Sequence, residues 1–354
     1  MHNIPTVQRL HGGEPIVKPV LEHPWENKVT FNPACALVTR QDGLMDILDR
    51  LPISRQKKRM LQTYEALGFV LYRAQGARTV TEDHTRSSIG LAICSPMLEP
   101  LARLDEPVMK PENSYENLGC EDARITKVGN EWVLLYTAYS SGTDRNRIRI
   151  ALATTTDFVD WKKHGPLKGN LNTIDNKNAM LFEQPHQGKF LLLHRPMEGE
   201  DAMSIHWATS GDLFGEWRTC GCLMKPNPNP QFVSTWIGGG APPLHVGNDR
   251  YLVIYHIGNR AADGNREYDL GIAAFDMNDP GIVVKRDEPL LRPTTRAETV
   301  GDEQLGVNNV VFICAAYFYR GDLYFPYAGS DSVVLAAKIE KHDVDAYLVD
   351  AVGR

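Results

Sequence analysis

Asn130–Ala138 reads NEWVLLYTA, a polar turn followed by an unbroken apolar run and a small polar end. The same shape recurs as ALGFVLYRA at Ala66–Ala74, GKFLLLHRP at Gly188–Pro196, DRYLVIYHI at Asp249–Ile257 and GDLYFPYAG at Gly321–Gly329. With Arg73, Thr137, Arg195, His256 and Tyr327 as closing residues, successive copies stand 64, 58, 61 and 71 residues apart. Each copy is followed by a second strand-like run, such as SIGLAICSP from Ser88 or YDLGIAAFDM from Tyr268. Four are preceded by another, EDARITKV, NKNAMLFEQ, GGAPPLHV and NNVVFICAA, and a looser equivalent, FNPACALV, precedes the first. Short apolar runs with turn punctuation read as strands. A unit repeated at this period cannot bury its faces alone and must stack on its neighbours. The expected fold class is therefore all-β, a single five-bladed β-propeller over residues 1–354, with a β-sandwich as the competing arrangement.

Two stretches fall outside the repeat. Residues 1–28 form an N-terminal arm. Residues 43–67 carry helical periodicity, with Leu44, Ile47 and Leu48 on one face and Met60, Tyr64 and Leu67 on another. Pro52 divides this insertion in the first blade into two helices, and Ser54 caps the second. Such a hairpin is expected on the rim or at a subunit contact, away from chemistry.

Bulk properties narrow the partners. The net charge of −6 and the absence of any basic tract longer than RQKKR (Arg55–Arg59) disfavour nucleic acid. No segment approaches the ~18 apolar residues of a membrane span, and the N-terminus lacks the apolar core of a signal peptide. Six cysteines in 354 residues are too sparse for a disulfide scaffold, so reduced thiols and a cytoplasmic location are expected. No metal-ligand cluster or dinucleotide motif occurs, so no cofactor is expected. A homo-oligomer is compatible with all of this.

In a propeller the innermost strands face a common axis. The closing residues should then converge with the starts of the entering strands at Asn32, Glu121, Asp122 and Lys177. Two arginines, a lysine, a histidine and two acids meeting in one concavity read as a site rather than as strand ends, because buried charges need partners. Asp122, Arg124 two residues on, and Asp331 in YAGSD supply groups for glycosidic bond cleavage, which needs a positioned general acid. The bases Arg73, Lys177, Arg195 and His256 exceed what sugar hydroxyls require and suit an anion, most commonly phosphate. The competing account is that they neutralise buried acids. Gly238–Gly240 opens no helix, so it reads as close backbone approach to a ligand or a neighbouring blade.

At ENLGCEDARI, LLYTAYS, DWKKHGPL, NKNAMLF, LLLHRP, IGGGAPPL, IYHI and NNVVF the sequence resembles glycoside hydrolase family 130, the inverting β-mannoside phosphorylases and β-mannosidases. The resemblance runs from Phe31 to Asp331 and implies a five-bladed propeller. It implies Asp122 as general acid, acting through a sugar hydroxyl that relays the proton. It puts phosphate on Arg73, Lys177, Arg195 and His256, and the mannosyl unit on Asp331 with Asn32 and Tyr327 near it. Glu121 and Arg124 fall on the substrate side. Ala123, Trp236 and Asp269 depart from the family pattern, where Pro, a basic residue and Arg (in YRLG) are usual. The implied activity is a glycosyltransferase-type phosphorolysis of a β-mannoside with inorganic phosphate as co-substrate, giving α-mannose 1-phosphate. Hydrolysis by an inverting β-mannosidase is the alternative, needing a second carboxylate for which Glu183, Glu267 and Glu303 are candidates. A noncatalytic glycan-binding propeller is a third reading.

Overall fold

The central strands of the repeats are apolar at consecutive positions because both of their faces are buried. On Glu131–Tyr139, Leu134 and Tyr136 pack toward the preceding unit, among Phe69, Leu91 and Ile125. Val133 and Leu135 pack the other way, against Leu181, Leu192 and Trp217. Arg250–Arg260 repeats the arrangement, with Leu252 and Ile254 against Ile313 and Phe325, and Val253 and Tyr255 against Met180 and Leu193. Each such side chain contributes roughly 1.5–3 kcal/mol relative to leaving it in water.

The computed structural model describes residues 4–77, 85–142 and 147–352. It is mostly β, and its strands fall into five antiparallel units. The first is Val29–Thr39, Ala66–Gln75, Ser87–Cys94 and Pro100–Arg103; the second is Gly119–Val128, Glu131–Tyr139, Ile148–Thr155 and Lys162–Pro166. One parallel pairing, Ser87 with Gly119, joins these two into an eight-stranded sheet. The third unit runs through Asn176–Leu181, Phe190–Pro196, Ile205–Ser210 and Glu216–Met224. The fourth runs through Ser234–Gly239, Arg250–Arg260, Arg266–Asp276 and Asp279–Lys285. The fifth contains Val311–Ile313, Asp322–Gly329 and Val333–Ile339, and its edge is completed by Val7–Arg9 from the start of the chain. The N-terminal arm is thus part of the last sheet, which the repeat pattern alone did not indicate.

The insertion forms two helices, Leu44–Arg50 and Arg55–Leu61, and the Ser54 hydroxyl accepts from the Lys57 N–H as its cap. Leu44, Ile47, Leu48 and Leu61 pack on the core shared by the first two units, and Arg50 bonds Asp157 at 2.9 Å. The expected face of Met60, Tyr64 and Leu67 does not form. The helix stops at Leu61 because Ala66 and Leu67 are already paired with Thr39 and Val38, leaving Met60 exposed. Among the described residues no helix is long and apolar enough to cross a membrane.

Candidate active site

Three entering strands carry the same irregularity. Asn32 and Pro33 lie opposite the single residue Tyr72, Asp122 and Ala123 opposite Tyr136, and Asn178 and Ala179 opposite His194. These are β-bulges, which re-aim a side chain at the point where pairing is interrupted. The first residue of each pair is left-handed, with φ of 45° at Asn32, 49° at Asp122 and 59° at Asn178. Asn and Asp tolerate that conformation better than other non-glycine residues. The fourth unit has glycines instead of a bulge. A Cβ on Gly238 would stand 2.5 Å from the His256 ring, and one on Gly239 would stand 2.5 Å from the Asn178 carbonyl. Close approach between neighbouring units is therefore what the glycine run provides.

The bulges turn Asn32, Asp122 and Asn178 into one central cavity of about 190 Å³. Arg73, Lys177, Arg195, His256 and Asp331 also line it, so seven of the residues singled out in the sequence meet there. Asn178, Arg266, Tyr268 and Phe312 line it as well and were not singled out. For Asn178 the signal was available, since FNPA, EDAR and KNAM share an Asn or Asp followed by Pro or Ala.

The closing residue Thr137 is buried beside Glu121 and does not line the cavity, and three residues expected on the substrate side also lie elsewhere. Tyr327 is fully buried in the core and donates to Glu298 at 2.8 Å, because its strand alternation turns it away from the cavity. Arg124 is also buried and bonds backbone: Nη1 donates to the Asp122 carbonyl at 2.7 Å, Nη2 to Gly239 at 2.7 Å and Nε to Gly240 at 3.2 Å. It ties the second unit to the fourth and is not among the residues that line the cavity. Glu121 is held behind the wall by Arg73 at 2.7 Å and Ser87 at 3.0 Å.

The site's electrostatics follow from these contacts. Asp122 Oδ1 accepts from Asn32 at 2.7 Å and from Arg73 at 3.1 Å. Burial would raise this carboxyl, but Arg73, Lys177, Arg124 and Asn32 outweigh burial and hold it at about 2. Among the described residues Asp331 has no such hydrogen bonds, and burial, with Asp122 nearby, lifts it to about 7 against the pull of Arg73. Burial and Arg195 lower Lys177 to about 8, and burial lowers Arg195 to about 10. Burial and the surrounding cations push His256 well below its ordinary value, so it is neutral at pH 7. Arg195 Nη1 lies 3.1 Å from His256 Nε2. An arginine can only donate, so the histidine accepts there. Among the described residues Arg195 Nε, Asn178 Nδ2 and Asn32 Oδ1 are buried without a hydrogen-bond partner. Buried polar groups rarely stay unpaired, so these mark places where a bound molecule completes the wall.

Arg73 is thus engaged by two carboxylates, whereas Lys177 and Arg195 keep positive charge directed at the cavity. The arrangement provides an ionised acid, a second carboxyl near neutrality, and an anion-attracting wall within one small space. Of the carboxylates considered for hydrolysis, Glu183 and Glu303 are exposed and Glu267 faces the other side of its sheet.

The sequence model of the family described as beta-1,4-mannooligosaccharide phosphorylase matches residues 56–348. A 1,2-beta-oligomannan phosphorylase and a beta-1,2-mannobiose phosphorylase, both from Thermoanaerobacter sp. (strain X514), are 30% and 31% identical over 332 residues, 94% of this chain and 96% of each relative. In fold, the chain resembles the beta-1,2-mannobiose phosphorylase of Listeria innocua, with a TM-score of 0.73 and 21% identity over 97% of this chain and 99% of that one. The family match spans most of the chain, and relatives of this identity align along nearly all of it: the chain belongs to glycoside hydrolase family 130.

Proposed function

We propose that this chain is an inverting β-mannoside phosphorylase, which cleaves a terminal β-mannoside with inorganic phosphate and releases α-mannose 1-phosphate. The observation that carries the reading is the cavity in which Lys177 and Arg195 present positive charge close to Asp122. In this reading Lys177 and Arg195 hold phosphate directly. Arg73 and the neutral His256 complete the wall indirectly, the first by holding Asp122 and the second by accepting from Arg195. Asp331, Asn32 and Asn178 meet the hydroxyls of the mannosyl unit.

A phosphate oxygen forms the new bond to the anomeric carbon as the glycosidic bond breaks on the opposite face. The departing oxygen needs a proton, and Asp122 is ionised in the unliganded site. Phosphate brings both a proton and negative charge, which offsets the cations that keep Asp122 ionised. With that charge in place Asp122 takes a proton from solvent and passes it through a sugar hydroxyl to the leaving oxygen. The phosphate's own proton leaves to solvent on the opposite face, so the net transfer is from hydrogen phosphate to the released sugar. No cofactor enters the reaction.

The five antiparallel units are read here as the blades of one five-bladed propeller forming a single domain. Val7–Arg9 closes the last blade, and Arg124 ties the second blade to the fourth. A cytoplasmic location accords with six free cysteines among the described residues.

The names of the two Thermoanaerobacter relatives make β-1,2-linked manno-oligosaccharides the first substrates to try. Incubation of β-1,2-mannobiose and β-1,4-mannobiose with and without phosphate tests the proposal. Formation of α-mannose 1-phosphate that saturates with phosphate supports it. Equal release of mannose in phosphate-free buffer, with no sugar phosphate, replaces it with hydrolysis.

A further inference from the structure

Side chains alternate across a strand, so the sheet that presents His256 and Tyr268 to the central cavity presents their neighbours to its other face. There Tyr255, Ile257, Asn259, Glu267 and Asp269 line a second cavity of about 510 Å³. Residues 227–232, which lead into Ser234–Gly239, contribute Asn227, Gln231 and Phe232 to it. Its size falls in the range that small-molecule sites occupy.

Asp269 is the residue that calls for an occupant. It is 6% exposed, yet among the described residues no donor meets its carboxylate. The carboxylate opens onto the cavity, so whatever fills the cavity supplies its hydrogen bonds. Burial and Glu267 raise it to about 7, so at neutral pH it samples both the accepting and the donating form. Around it stand amides and a hydroxyl held in fixed geometry, with Thr235 donating to Asn259 at 2.9 Å and Asn227 donating to Asp287 at 2.7 Å. Phe232 and Tyr255 add aromatic surface.

The charge balance selects among ligands. Glu267, Asp269 and Asp287 outnumber Arg292 and Arg286, whose Nη2 pairs with Asp350 and whose Nε is buried without a hydrogen-bond partner among the described residues. That excess of negative charge repels phosphates and carboxylates. The carboxylates also penalise an apolar ligand. Among the described residues no cluster of three or more metal-ligating side chains occurs. What remains is a neutral molecule with many hydroxyls to pair the carboxylates and amides and a C–H face to lie on an aromatic ring.

We propose that this cavity is a second carbohydrate site, taking a neutral sugar unit of an oligosaccharide on the opposite face of the sheet from the central cavity. The choice of a manno-oligosaccharide as probe rests on the proposed function. The test is calorimetric titration of the full chain with β-1,2-mannotriose in phosphate-free buffer, alongside phosphorolysis of the disaccharide. The wild type is expected to bind at two sites. Asp269→Leu should lose one of them, with an affinity drop of at least about tenfold, as expected for removing a hydrogen bond to a charged group. Phe232→Ala, which lies on the covering segment rather than in the sheet, should lose the same site, so the result does not depend on one variant folding. Disaccharide turnover should be unchanged in both. A single site in the wild type, retained in both variants, would overturn the proposal, as would binding of glucosamine in place of mannotriose. Failure of the phosphorylase reading is read separately, as absence of α-mannose 1-phosphate, and leaves the two-site titration interpretable.

Discussion

At the scale of single residues, two neighbouring carboxyls are driven in opposite directions. Asp122 has Asn32 and Arg73 on one oxygen and is held at about 2, whereas Asp331 lacks such donors among the described residues and rises to about 7. Replacement of Asp122 by Asn keeps the shape and removes the proton relay. Turnover should fall by roughly 10²–10⁴-fold, with folding unchanged by circular dichroism; a loss of less than tenfold rules out the relay. Lys177 gives a pH prediction. With its value lowered to about 8, its ammonium is charged below that pH and is lost as pH rises through it. In the wild type kcat/KM for phosphate should therefore decline above about pH 8. Lys177→Ala should lower kcat/KM throughout and lack that limb, measured as initial rates from pH 6.5 to 9.5. Arg73, Arg195 and His256 were legible in the sequence because the repeat aligns them. Tyr327 occupies the same place in its copy but points into the core, and sequence alignment carries no information on which face a given strand presents. Nor did it reveal that Arg124 would be consumed by backbone carbonyls.

At the scale of elements, the bulge and the glycine run solve one problem in two ways. The first three units turn a polar side chain inward by inserting a residue, while the fourth removes side chains so that its neighbour can approach. The strands themselves were legible, since runs such as VLLY and LVIY reflect burial on both faces. The bulges were not read, because one extra residue in a strand leaves no break in hydrophobicity, although the FNPA, EDAR and KNAM pattern encodes it. Gly239→Ala tests the close approach. Its Cβ would stand 2.5 Å from the Asn178 backbone oxygen, which cannot rotate away. Overpacking of this kind costs roughly 1–3 kcal/mol. The variant should show a lower denaturation midpoint and reduced kcat/KM together, since the displaced strand carries both Lys177 and Asn178. A variant with wild-type stability and activity would show that the strand yields freely.

At the scale of the whole molecule, the ends of the chain meet in one sheet, and the meeting is tied to the interior. Val7–Arg9 pairs with Val333–Ile339, placing Gln8 opposite Lys338 and Arg9 opposite Ala337. Arg9 reaches inward to Glu298 with Nε at 2.7 Å and Nη2 at 3.0 Å. Glu298 is fully buried and also accepts from Tyr327 at 2.8 Å and from the backbone of Thr294 and Thr295. Burial would raise that carboxyl, yet Arg9 leads the groups that hold it below its ordinary value. The strand that closes the fifth unit thus neutralises a charge inside that unit. Arg9→Ala leaves Glu298 with three neutral donors and no cation, an uncompensated burial that costs roughly 1–3 kcal/mol. The urea midpoint should fall accordingly. The central cavity contains neither residue, so kcat measured below the unfolding transition should stay near wild type. Arg9→Ala with Glu298→Gln removes the stranded charge along with its partner and should recover part of the loss. Full stability in Arg9→Ala alone would mean that the edge strand holds by backbone pairing and that the buried carboxylate finds its compensation elsewhere.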